Sequence, residues 1–249
     1  MSTISRIFSV ILISFLFFSL APKSHAADTS SVPILMYHYI RDYNTPKDPT
    51  GNQLSVSITN FDQQMGYLAS HGYTPVSLDT LTGIFSKQIA PPAKPVVLTF
   101  DDGYVDFYAN AYPILKKYGF HATSFVITGF VGKPAYLSWN NIKEMQNSGL
   151  INFESHTVNH AYLPSLSYAN ILKEIQESKN TLQAETGYPV NFIAYPSGGS
   201  NSRVWTAVRH VGYVGGLGTW PGKASYTSVN MPRVRISGSD SLQSFAKKV

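Results

Sequence analysis

The sequence predicts an α/β fold: a parallel sheet covered by helices, either closed as a barrel or open and doubly wound. Three observations point there. One joint recurs, an amphipathic helical stretch followed by a glycine and then an apolar or aromatic residue opening a β-rich run, at Gly72, Gly119, Gly149, Gly187 and Gly212. The strand candidates are short, rich in Val, Ile and Phe, and alternate with the helical stretches, as βα units do. Unusual polar residues gather at the carboxyl ends of four of these strands, where parallel α/β folds collect their ligands. They are His38, the pair Asp101 and Asp102, His156, and the run from Pro196 to Gly199.

Taken in order, residues 1–26 read as an export signal peptide. Arg6 gives a basic start, the fifteen residues 7–21 are almost wholly apolar, and Ser24-His25-Ala26 places small residues where a signal peptidase inspects the chain. Fifteen apolar residues fall short of the roughly 20 that a spanning helix needs, and no second such run follows. Residues 27–249 contain no linker or low-complexity stretch and form a single expected domain. Within it, strands are expected at 32–37, 96–100, 122–127, 150–155 and 191–195. Helical faces are marked by Phe61, Met65 and Leu68 and by Ile171, Ile175 and Leu182, with Lys173, Glu174, Glu177 and Lys179 on the wet side. A further helix is expected over 140–147, after Trp139.

Composition narrows the partners. The expected mature chain carries 17 basic against 14 acidic residues, a formal charge of +3 with no basic cluster, which argues against nucleic acid. With no cysteine, an exported chain of this size relies on its core and on a metal, and any zinc or iron site must use His and carboxylate ligands. Sixteen tyrosines, fourteen phenylalanines and three tryptophans supply core packing and flat faces on which sugar rings stack.

The stretch VVLTFDDGYVD sets Asp101 beside Asp102 at a strand end. Two ionised carboxylates there raise each other's pKa unless a cation is near. His156 and His160, four apart in HTVNH, fall on one side of a turn and bring two imidazole nitrogens toward one ion. Two imidazoles and one carboxylate make a three-ligand set that leaves a position for water, whose pKa falls to about 7 on a divalent ion. The second carboxylate of the pair is then free to take the water's proton.

These motifs resemble the polysaccharide deacetylases of the NodB-homology type, a family of carbohydrate esterases, over residues 33–235. TFDDG is similar to the family's first motif and HTVNH to its second. PILMYH, YLSWNNIKEM and FIAYPSGG resemble the branch that deacetylates poly-β-1,6-N-acetylglucosamine. The resemblance implies a distorted (β/α) barrel with fewer than eight complete units and hydrolysis of the acetamide of an N-acetylated polysaccharide. It further implies Asp101 as catalytic base, and Asp102, His156 and His160 holding a divalent metal, Zn2+ with Co2+, Ni2+ or Fe2+ as alternatives.

Two departures from the family pattern define open roles. The third motif carries Ala194 where an arginine is usual and Ser197 where an aromatic is usual. The backbone amide of Ser197 can still serve as an oxyanion donor, and Arg233 or Arg235 in MPRVRIS is the candidate for the absent guanidinium. No histidine follows His210, so the family's late histidine is absent and His38 is the candidate general acid. Trp139 is a candidate sugar-stacking residue, and Glu154 a candidate to orient a ligand imidazole. Three other readings stand beside it: a deacetylase of a chitin-like or peptidoglycan substrate, glycoside hydrolysis, which needs carboxylates roughly 5–10 Å apart, and a sugar-binding domain that keeps the metal without turnover.

Overall fold

The computed structural model describes residues 31–249, so the expected signal peptide at 1–26 lies outside the described residues. Its strands are β1 (Ile34–Tyr37), β2 (Tyr39–Ile40), β3 (Ser55–Val56), β4 (Thr74–Pro75), β5 (Pro95–Phe100), β6 (Ala122–Val126), β7 (Ile151–Ser155), β8 (Phe192–Ala194), β9 (Gly215–Pro221) and β10 (Met231–Arg235). The helices are α1 (Pro49–Leu54), α2 (Ile58–Ser70), α3 (Leu78–Phe85), α4 (Tyr112–Tyr118), α5 (Trp139–Asn147), α6 (Tyr168–Thr186), α7 (Ser202–His210) and α8 (Leu242–Ala246).

Seven strands close a barrel in the order β1-β10-β9-β8-β7-β6-β5, with β5 pairing back onto β1 and every pairing parallel. This settles the choice between a closed and an open sheet, and the missing eighth unit makes the barrel the distorted kind. Strand β4 joins only the start of β5, at Thr74 opposite Pro95 and Pro75 opposite Val96. Strands β2 and β3 form a separate two-stranded ribbon above β1.

Period-two alternation divides the core. Ile34, Val97, Phe125, Phe192, Leu217 and Met231 pack in one cluster that fills the barrel, while Leu35, Leu98, Phe153 and Ile193 pack outward against Leu68, Leu115, Ile142, Ile175 and Val208 of the helices. Local chemistry fixes where the helices begin. Every helix except α4 opens on a Ser, Asp or Asn side chain that accepts a backbone N–H of the first turn, each worth about 1 kcal/mol. All five glycines of the recurring joint have φ between 65° and 80°. At Gly119 and Gly187 that left-handed residue is the cap itself, and the chain turns from helix toward the next strand.

The expected strands lie within a few residues of the observed ones, and α5 begins at Trp139, held by a reciprocal Ser138–Asn141 capping box. The glycine-rich first half of β9, Gly215 to Gly218, carries little β-propensity of its own. It is a strand because glycine makes room for its neighbours: a Cβ on Gly216 would stand 2.2 Å from the Tyr195 hydroxyl, which donates to Val229 O at 2.6 Å.

Candidate active site

Strand β5 delivers Asp101 and Asp102 to the upper rim. Asp101 N–H still bonds Tyr37 O of β1 at 3.0 Å, so its backbone continues the barrel ladder. The chain then breaks sharply, with Asp102 at φ 75° and Gly103 at φ 73°. A left-handed Asp costs about 1 kcal/mol, and here it aims the carboxylate into the barrel mouth.

The histidine pair is brought round by a loop and not by a helix, with Thr157 and His160 both at positive φ. Thr157 Oγ1 accepts the His160 N–H at 3.1 Å and pins the turn. His156 Nδ1 lies 2.8 Å from Ala194 O of β8, which fixes Nδ1 as the protonated nitrogen and leaves Nε2 as the free donor pair. That carbonyl does the orienting that Glu154 was expected to do. Glu154 shares the inward face with His156, but it lies deeper and accepts the amides of Asn191 and Phe192 at 2.9 and 2.8 Å.

His156 Nε2 stands 3.1 Å and His160 Nε2 3.4 Å from Asp102 Oδ1. One ligand atom from each of the three lies within 4.8 Å of the others. Asp102 Oδ1 is buried and has no hydrogen-bond partner, an expensive state for a carboxylate oxygen. Donors bound to one tetrahedral ion at about 2.0–2.2 Å stand a little over 3 Å apart, so the observed separations and the orphaned oxygen both fit a single divalent cation.

Asp101 faces a different partner. Arg233 of β10 is fully buried (0% exposed) and grips it in a bidentate fork, Nη1 to Oδ1 and Nη2 to Oδ2, each at 2.7 Å. Its Nε donates to Gly218 O at 2.8 Å, and Nη1 also reaches Thr99 Oγ1 at 3.2 Å. Burial alone would raise the Asp101 carboxyl, but the Arg233 charge and its two hydrogen bonds outweigh that and hold it below the usual carboxylate range. Arg235, two residues on along the same strand, is exposed and lines the cavity without touching Asp101 through a hydrogen bond. Of the two arginines considered from sequence, Arg233 is the one that pairs with Asp101.

His38 follows β1, with Nε2 3.9 Å from Asp101 Oδ2. Burial lowers its pKa against the opposing pull of Asp101 and Asp102. Across the mouth, Ser197 sits at φ 53° in the turn after β8, where Gly198 N–H bonds Tyr195 O and Gly199 N–H bonds Pro196 O. The Ser197 N–H takes no part in these bonds. A Cβ on Gly198, itself at φ 71°, would meet Thr219 Oγ1 at 2.1 Å. Gly198→Ala is expected to lower stability by about 1–3 kcal/mol and to displace Ser197, read as a fall in Tm and in turnover.

His38, Asp101, Asp102, His156, His160 and Ser197 together line one cavity of about 410 Å3. Trp139 is not among its lining residues. It is half-buried and packs against the helical core. Tyr104, Tyr195 and Thr219 also line the cavity. Sequence reading missed them, although Tyr104 lies within the VVLTFDDGYVD stretch.

Barrel, rim carboxylates and paired imidazoles define a hydrolase of the parallel α/β class. Residues 88–216 match the family model of polysaccharide deacetylase. The chain is 31% identical over 213 residues to the poly-β-1,6-N-acetyl-D-glucosamine N-deacetylase of Staphylococcus aureus, covering 77% of this chain and 73% of that protein. Its structure resembles the Streptococcus pyogenes deacetylase PplD with a TM-score of 0.81 at 35% identity, over 88% of this chain and 97% of the other. It also resembles BC0361, a polysaccharide deacetylase from Bacillus cereus, with a TM-score of 0.78 at 34% identity, over 88% and 68%. The chain belongs to the polysaccharide deacetylase family, with the NodB-type barrel and hydrolytic N-deacetylase chemistry of that family.

Proposed function

We propose that this protein is an exported N-deacetylase of N-acetylglucosamine polymers, with poly-β-1,6-N-acetylglucosamine as its substrate, and that Asp102, His156 and His160 hold its divalent ion. The observation that carries the metal site is the buried, partnerless Oδ1 of Asp102 between two imidazole nitrogens. The Staphylococcus aureus relative supports the glycan, and the basic-then-apolar pattern of residues 1–26 supports export. Among the described residues no helix is long and apolar enough to cross a membrane.

Bound there, a divalent ion supplies a Lewis acid that acidifies water and polarises the acetamide carbonyl; zinc suits the donor set. The chain's own residues divide the remaining work. Asp101, kept ionised by Arg233, takes the proton of the attacking water. Ser197 N–H donates to the oxygen of the former carbonyl as charge builds on it. His38 returns a proton to the leaving amine, so that the C–N bond breaks to acetate and a free amino sugar.

Acetate release from an acetylated glucosamine oligomer, with and without chelator, tests the reading. The expected result is metal-dependent acetate with no shortening of the chain. Shortened chains would mean glycoside hydrolysis, and binding without acetate would mean a sugar-binding protein. A His38→Gln variant tests the acid. His38 must be protonated to act, so activity should fade as pH rises through its pKa, which burial sets below the ordinary histidine value. The variant is expected to turn over more slowly and to lose that descending limb. An unchanged pH profile removes His38 from the mechanism.

A further inference from the structure

A second cavity of about 290 Å3 lies across helix α1 from the reaction cavity, with Arg41, Asn44, Gln53, Ser57 and Ser239 among its walls. Helix α1 is the partition: Thr50 and Leu54 face the reaction cavity, while Asn52 and Gln53 face the second. A stack of side chains links the two. The Arg41 guanidinium lies 3.6 Å from the Tyr39 ring centroid, the Tyr39 and Tyr104 rings stack at 3.8 Å, and Tyr104 lines the reaction cavity.

The second cavity is rigidly built. Arg41 is also 4.3 Å from the Tyr43 ring, and its Nε donates to Ser55 Oγ at 3.0 Å. Its Nη1 and Nη2 donors have no hydrogen-bond partner among the described residues. Gly238 closes one side so tightly that a Cβ there would stand 2.2 Å from the carbonyl oxygens of Asn52 and Ser55, and its N–H bonds Gln53 O at 2.9 Å. A stacked guanidinium with two donors free of protein partners, on the wall of a cavity that amide and hydroxyl side chains also line, is a preorganised acceptor-binding site.

We propose that the Arg41 cavity is a subsite for a second sugar of the same glycan that still carries its acetyl group, with Arg41 donating to the acetamide carbonyl. This rests on the deacetylase reading and extends it to the neighbour that the enzyme accepts. Guanidinium offers donors and no acceptor. An acetamide carbonyl is an acceptor and pairs with it. The ammonium of a deacetylated glucosamine also offers only donors and carries the same charge, so it is rejected. The enzyme therefore acts beside acetylated neighbours and leaves its free amines spaced along the polymer.

The test is a binding titration of an N-acetylglucosamine pentamer and of the fully deacetylated pentamer into the metal-loaded protein and its Arg41→Gln and Arg41→Lys variants. It is paired with kinetics on the acetylated pentamer and on a small acetyl ester that fills only the reaction cavity. Loss of a charge-assisted hydrogen bond should weaken binding of the acetylated pentamer at least about tenfold in Arg41→Gln, and Arg41→Lys, which keeps a charged donor but loses the planar stack on Tyr39 and Tyr43, should recover only part of it. That loss should raise KM for that pentamer far more than it lowers kcat. Adjacent free amines should become more frequent in the products of Arg41→Gln. Equal binding of both pentamers by the wild type, a matching loss on the small ester, or tighter binding of an anionic oligosaccharide would each overturn the subsite. Binding of the acetylated pentamer through Arg41 without acetate release would uphold the subsite and defeat the functional reading instead.

Discussion

Arg233→Met is expected to destabilise the protein by about 3–5 kcal/mol, because it strands the Asp101 carboxylate inside the barrel without its counter-charge. Turnover should fall with it. In the proposed mechanism Asp101 is the base and must be ionised to act, so activity should appear as pH rises through its pKa. With Arg233 present that carboxyl is held below the usual range; without it, burial raises the pKa and the acid limb of the rate profile moves to higher pH. Stability follows the same sign. The depressed pKa contributes stability above the ordinary carboxylate value, which is lost as pH falls through the folded value, and Arg233→Met should lose that contribution. A double variant, Asp101→Leu with Arg233→Met, removes both charges and should recover most of the stability while remaining inactive. If Arg233→Met alone keeps full stability and an unmoved pH profile, the pair does not have this role.

The second large effect is at the imidazole and carboxylate donors. Asp102→Ala and His156→Ala are each expected to cut acetate release by at least about a thousandfold, since unassisted water ionises near 15.7 in place of about 7. Both should fold. His156 also bonds Ala194 O, so His156→Ala additionally loosens the turn that carries Ser197, whereas Asp102→Ala removes only the orphaned oxygen and its mate. Thermal melts with and without added metal separate these: wild type should gain stability from the ion by mass action, and Asp102→Ala should not.

The sequence made the strand-end carboxylates and the four-residue histidine spacing legible because both are local. Each is carried by consecutive residues whose polar character contrasts with the apolar strand before it. The alternation of helix, glycine and strand was legible for the same reason. Barrel closure was not, since β1 meets β5 across the three intervening short strands and the pattern of each strand is equally compatible with an open sheet. The grip on Asp101 comes from Arg233, 132 positions away, and only the barrel's closing order puts β10 within reach of the β5 rim. Likewise the carbonyl that fixes the His156 tautomer belongs to Ala194, a residue whose side chain carries no chemistry.

Equilibrium titration of metal-stripped protein with Zn2+, read by calorimetry and by acetate release in parallel, tests the central claim most directly. A single site should fill at one ion per chain, turnover should rise with its occupancy, and Asp102→Ala should neither bind at that site nor turn over. Full acetate release by the stripped protein, or unaltered ion binding in Asp102→Ala, would contradict it.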